Sequence, residues 1–260
     1  MNKRKVRCDA KAEKFANPAK FAKNRKSTQK KSHDSFFKTA FKEPKRTAEL
    51  LRFAAKRNKS LAEFIDAVDL SSMKPLPTEG TRIDLSCASD LSFCVRLKSQ
   101  PTQTAELLVG VVLEHKSFPD NDVLYQLEKY FFELVRKVDA ERPMVAIIVY
   151  NGKEKWVPEK IRLYSKYPEY FRKVGLPFRL ETIDVGNELP HIDMEKLDPA
   201  VMLALVAMKY AFDADKYRET FDEAVQYVLK QDSKKIRSLI EEVYVYLYEN
   251  ITETQKEKMM

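Results

Sequence analysis

Two near-continuous apolar runs, Leu107-Leu-Val-Gly-Val-Val-Leu113 and Met144-Val-Ala-Ile-Ile-Val-Tyr150, constrain this chain more than any other feature of it. A strand that is apolar at nearly every position has no side to offer to water. Each run therefore belongs near the centre of a sheet that is covered on both faces. The runs place strands over residues 106–114 and 143–150. Between them, Val123, Leu124, Leu127, Phe131, Leu134 and Val135 recur at helical spacing within residues 121–138. Strand, helix, strand in that order implies a crossover and a parallel pair.

The preceding segment, Asp90-Leu-Ser-Phe-Cys-Val-Arg-Leu97, alternates polar and apolar as a half-buried strand does. It is separated from the first apolar run by the polar turn of residues 98–104, with Pro101, so the two read as an antiparallel hairpin within a mixed sheet. A fourth strand is expected over residues 178–185. Ahead of the sheet, Phe36, Phe37, Ala40 and Phe41 form a first helix that Pro44 stops, with Asp34 as its N-cap. A second helix is expected over 47–56 and a third over 61–68, followed by a loop with Pro75, Pro77 and Gly80. After Asp198 three helices fit, over 199–212, 216–230 and 233–248. The fold class is α/β, a central mixed sheet flanked by helices, with an α-helical C-terminal part. The expected divisions are a basic tail over 1–32, a core domain over 33–190 and a helical region over 191–260.

Charge adds less than its total suggests. The net charge is +8, yet residues 1–32 alone hold twelve Lys and Arg against two acids, Asp9 and Glu13. The remaining chain is thus close to neutral, and the basicity belongs to a segment without apolar periodicity. Such a tail reads either as a solvated, disordered extension or as an arm that attracts polyanions in a salt-dependent way. No apolar window is long enough for a membrane-spanning helix, and no apolar stretch follows the N-terminal charges as a secretory signal requires. Cys8, Cys87 and Cys94 have no paired spacing, which fits reduced thiols in a cytoplasmic protein.

The chemistry resides where the hairpin closes. Asp90 opens one strand, and Glu114 and Lys116 end the next. Residues two apart on a strand point to one side, and antiparallel pairing brings Asp90 beside Glu114. Two converging carboxylates can hold a hard divalent cation such as Mg²⁺, Mn²⁺ or Ca²⁺, with the backbone carbonyl of His115 as a further oxygen ligand. Lys116 could then orient a water or stabilise charge on phosphorus. The Glu-x-Lys spacing alone carries little, since Glu43-Pro44-Lys45 has it too. Its position after a buried run is what singles out Glu114 and Lys116; the plain alternative is a salt bridge at a strand end.

Several stretches resemble the Rpn family of recombination-promoting nucleases, also known as transposase-like proteins. They are His33-Asp-Ser-Phe-Phe-Lys-Thr-Ala-Phe41 with Pro44, the Asp90–Leu97 strand, Leu-Val-Gly-Val-Val-Leu-Glu-His-Lys-Ser-Phe-Pro-Asp120, and Val149-Tyr-Asn-Gly152 with Trp156. The resemblance runs over residues 33–184. It implies a restriction-endonuclease-like, PD-(D/E)xK core and metal-dependent DNA endonuclease activity linked to recombination. Asp90, Glu114 and Lys116 would then take the metal-binding and catalytic places. Two departures stand out: many members have Gln where Lys116 stands, and a Tyr-His-Gly where this chain has Tyr150-Asn151-Gly152.

Other residues have bland readings beside functional ones. Gln126 could reach the site from the helix after the catalytic strand, or face solvent one turn before Tyr130. Glu49 could be an extra metal ligand or a surface acid. The His115 side chain should point to the sheet face opposite Glu114 and pack there. His33 and His191 give no zinc-like set. Trp156 and the group Tyr164, Tyr167 and Tyr170 read as packing before base stacking, and Tyr244, Tyr246 and Tyr248 as packing or an interface. The leading expectation is a DNA endonuclease. The alternatives are a DNA-binding accessory protein of mobile elements without strong cleavage, or a helical interaction module that forms a homodimer.

Overall fold

In a computed structural model of the protein, the residues described are 33–76, 90–98, 108–132, 142–158, 168–169, 175–187, 196–230, 240–241, 243 and 246. The basic tail, the turn after residue 98, Cys8, Cys87, His191, Tyr164, Tyr167, Tyr170, Tyr244 and Tyr248 lie outside them. So do residues 133–138 of the expected crossover helix and most of the expected last helix. Two compact units are present, one formed by Phe41–Pro190 and the other by Met1–Ala40 with His191–Met260.

The Phe41–Pro190 unit carries an α/β fold with a five-stranded mixed sheet. Helices α2 (Pro44–Ala55) and α3 (Lys59–Ala67) lead into β1 (Val68–Pro75), β2 (Leu91–Leu97) and β3 (Leu108–Lys116). Helix α4 (Val123–Tyr130) then crosses to β4 (Met144–Tyr150), and β5 (Arg179–Asp184) closes the order β1-β2-β3-β4-β5. Strands β1, β2 and β3 pair antiparallel, whereas β3, β4 and β5 run parallel. The two all-apolar runs are thus central neighbours, with Val111 to Leu113 and Ala146 to Val149 wholly buried. Val112, Ala146 and Ile148 project to one face and meet Val123, Leu124, Leu127, Tyr130 and Phe131 of the crossover helix. Burying a Leu or Val side chain there contributes about 1.5–3 kcal/mol each, which fixes α4 against the sheet and sets where its polar residues emerge.

Three local expectations are corrected. Pro44 does not merely stop the first helix; it occupies the first turn of α2, which begins at Pro44 rather than at residue 47. Its missing N–H costs nothing where no intrahelical acceptor exists. The first helix, α1 (His33–Phe41), includes Asp34, so Asp34 lies inside it rather than capping it. Most informative is β1, a strand where a helix end and a loop were expected. Its pairing with β2 jumps from Asp69↔Arg96 to Lys74↔Cys94, so a bulge interrupts it. The Asp69 carboxylate accepts from the Ser71 amide at 3.0 Å and from its hydroxyl, and Ser72 Oγ donates to the Asp69 carbonyl. Those local bonds are a turn built into a strand.

Helix α3 starts at Asn58, whose side chain accepts from the Leu61 amide at 2.9 Å. Asn58 and Ser60 also tie this helix start to β5, through the Thr182 carbonyl and the buried Glu181 carboxylate.

The other unit holds α1, α5 (Pro199–Tyr210) and α6 (Ala214–Lys230). Helix α5 is buried at every position from Ala200 to Met208, as expected of a helix apolar all round. Asp198 caps it by accepting from the Ala200 amide. Tyr246 is buried and stacks on Phe36 with ring centroids 4.2 Å apart, so this member of the tyrosine group is core rather than interface. Among the described residues no helix is long and apolar enough to cross a membrane.

Candidate active site

The register of the hairpin brings the predicted residues together. Leu91 pairs with Leu113, so Asp90 stands at the exit of β3, where its Oδ2 accepts from the His115 amide at 2.8 Å. That bond clamps the Asp90 carboxylate to the backbone between Glu114 and Lys116. Glu114 is only 4% exposed because it ends a strand flanked by β2 and β4. One of its oxygens, Oε1, receives the Lys116 ammonium at 3.2 Å. The other, Oε2, is buried without a hydrogen-bond partner. Burial, and then the nearby Asp90 charge, push the Glu114 carboxyl up to about 7 against the opposing pull of Lys116. A carboxylate so placed is short of positive charge.

Lys116 is half-buried and fully engaged. Its Nζ lies 2.8 Å from Asp120 Oδ2, 2.9 Å from Gln126 Oε1 and 3.2 Å from Glu114 Oε1. An ammonium has three N–H donors, so these three acceptors saturate it. Burial alone would lower its pKa, but the bond to Asp120 and the Glu114 and Asp120 charges outweigh that and raise it. It is charged throughout the physiological range. Conversely, burial would raise the Asp120 carboxyl, and Lys116 together with the Asp122 amide at 2.9 Å holds it below the ordinary range.

Gln126 reaches the site from α4. Because Lys116 can only donate, the glutamine must present Oε1 to it. Its Nε2 then donates to the Tyr130 hydroxyl at 2.6 Å, one helical turn along. Behind the site, the His115 ring is on the opposite face from Glu114, buried, with Nε2 3.1 Å from Asn151 Oδ1. Asn151 in turn donates its amide to the Lys116 carbonyl at 3.1 Å. Asn151 therefore holds the strand end in place. Next to it, a Cβ on Gly152 would fall 2.1 Å from the hydroxyl oxygen of the buried Tyr150, whose ring packs on Trp156 at 5.1 Å. Only glycine fits there. Glu49 is half-buried on α2.

Asp120 and Asn151 are the residues that sequence reasoning left without a role. Asp120 follows Lys116 by four positions, a helical spacing in a segment that is not helical but bends at Ser117 and Phe118. A lysine leaving a buried strand needs a counter-charge within reach, and that need was the available signal.

Residues 31–238, well over half of the chain, match the model of a family described as "Putative transposase, YhgA-like". The chain belongs to this family. The YhgA-like assignment agrees with the resemblance to the Rpn family and spans both units, from α1 through α6. Comparisons with curated proteins and with solved structures return no match. Among the described residues no three His, Cys, Asp or Glu side chains converge on one point, so a metal here would draw on two carboxylates and backbone oxygen.

Proposed function

We propose that this YhgA-like protein is a metal-dependent DNA endonuclease on a restriction-endonuclease-like, PD-(D/E)xK core, acting in DNA recombination of mobile elements. The observation that carries the proposal is the buried Glu114 Oε2, which has no partner and sits beside a second carboxylate. Leaving such an oxygen unpaired costs about 1–3 kcal/mol or more, a cost that a hard divalent cation would remove. The donor set suits Mg²⁺, Mn²⁺ or Ca²⁺, with Asp90, Glu114 and the His115 carbonyl as ligands. When bound, the cation would polarise a phosphodiester oxygen and lower the pKa of a coordinated water.

The chain's own groups supply the rest. Asp90, clamped to the His115 amide, and Glu114, fixed at the end of a buried strand, hold their oxygens in place before any ligand arrives. Lys116, kept charged by its neighbours, orients the attacking water or stabilises the charge that builds on the phosphorus oxygens. Gln126 orients Lys116.

Supercoiled plasmid incubated with Mg²⁺, Mn²⁺ or Ca²⁺ tests this. The parent protein should nick or linearise it, and Glu114→Ala and Lys116→Ala should each cut at least about 100-fold more slowly. Variants that cut as fast as the parent would show that the site is elsewhere. Retardation of DNA in a gel with no cutting under any of the three metals would favour a DNA-binding accessory protein instead.

A further inference from the structure

Lys116 is a lysine whose three donors are all spent, one of them on the carboxylate that a cation would need. We infer that Asp120 is a positioning residue that, with Gln126, holds the Lys116 ammonium so that Glu114 can be surrendered to a divalent cation while the lysine stays in place. The inference rests on the nuclease reading for its consequence, but its geometric core does not.

With Glu114 engaged by a cation, Lys116 keeps its 2.8 Å bond to Asp120 and its 2.9 Å bond to Gln126. Two anchored N–H groups fix the direction of the third, which is then the one available to a water or a phosphate oxygen. Without Asp120, the remaining anionic partner in contact with the ammonium among the described residues is Glu114, and the lysine competes with the cation for it. The two Asp120 oxygens do different jobs: Oδ1 accepts from the Asp122 amide and Oδ2 from Lys116. An asparagine can do only the first, because its Nδ2 would then confront an ammonium that has no acceptor capacity. Asp120→Asn therefore preserves the turn and releases the lysine, whereas Asp120→Glu restores the charge on a longer arm.

Three measurements on the full chain separate this inference from the nuclease reading. A crystal structure of metal-free Asp120→Asn should show Nζ drawn to Glu114, closer than 3.2 Å; a lysine left where it is in the parent overturns the inference, whatever the protein's activity. Mn²⁺ titration followed by electron paramagnetic resonance should give about tenfold weaker binding in Asp120→Asn, the scale of one charge-assisted hydrogen bond, with recovery in Asp120→Glu. In plasmid cleavage the same variant should lower kcat more than it raises KM. Parent-like Mn²⁺ affinity and kcat in Asp120→Asn would refute the inference while leaving the nuclease reading intact. Parent protein that neither binds Mn²⁺ nor cuts would refute the nuclease reading, and the crystallographic arm would still decide the role of Asp120.

Discussion

Replacing Glu114 with glutamine should make the folded protein more stable at neutral pH while removing the proposed activity. The carboxyl is pushed up from its ordinary 4.5 to about 7 in the folded state, mainly by burial. Below about pH 4.5 it is protonated in both folded and unfolded chains, and no difference arises. Between about 4.5 and 7 the unfolded chain ionises this group while the folded chain keeps the proton, so stability falls as pH rises. Above about 7 the loss is complete and constant. At about 1.36 kcal/mol per pH unit the full loss is about 3 kcal/mol. Glutamine imitates the neutral acid in shape and can still accept from Lys116. Glu114→Gln should thus match the parent near pH 4.5 and exceed it by about 3 kcal/mol at pH 8, roughly 5–10 °C in Tm. Thermal and urea unfolding in EDTA at pH 5, 6, 7 and 8 would measure the gap. A gap of equal size at pH 5 and pH 8, or a variant less stable than the parent at pH 8, would refute the account of Glu114 as a strained buried acid.

Three further outcomes follow from the same geometry. At pH 8, Mg²⁺ at about 100 times its Kd should stabilise the parent by about 2.7 kcal/mol and leave Glu114→Gln unmoved in the same thermal assay. Gly152→Ala should destabilise by about 2 kcal/mol or more in urea titration, because the added methyl meets the buried Tyr150 ring; a neutral effect would mean that the ring yields freely. His115→Ala and Asn151→Ala should each cost about 1–3 kcal/mol by removing the buried hydrogen bond between them. The double variant should cost less than the sum by more than about 0.5 kcal/mol, and strict additivity would deny the pairing across the strand end.

The central sheet was legible because its evidence is dense: seven consecutive apolar or glycine positions in each of two runs leave few alternatives, and the alternation of β2 fixes which side it buries. Asp90 and Glu114 could be placed together because antiparallel pairing is a strict geometric rule that acts over 24 positions. Strand β1 could not, since Asp69, Ser71 and Ser72 write the pattern of a turn into the middle of a strand, and only pairing with β2 overrides it. The Phe36–Tyr246 stack joins chain ends through tertiary packing that no local period records. The helix position of Gln126 was readable, but whether it faces solvent or a lysine depends on how α4 seats against Val112 and Ile148. Asp120 escaped for a related reason: its partner is set by the path of the bends at Ser117 and Phe118 after β3, and sequence spacing does not give that path.

The bulge in β1 has a bearing on how this protein behaves in a crowded solution. Among the described strands β1 pairs only with β2, so its other side is a sheet border. A straight border of free amides and carbonyls invites strands from other molecules, the first step towards fibrils. Here the stretch from Asp69 to Ser72 has folded its hydrogen bonds back on itself, and Lys74 and Pro75 follow, a charge and a residue with no amide to give. A passing strand would find at this border no continuous ladder to extend, and the irregularity that hid β1 from its own sequence also keeps it from recruiting neighbours.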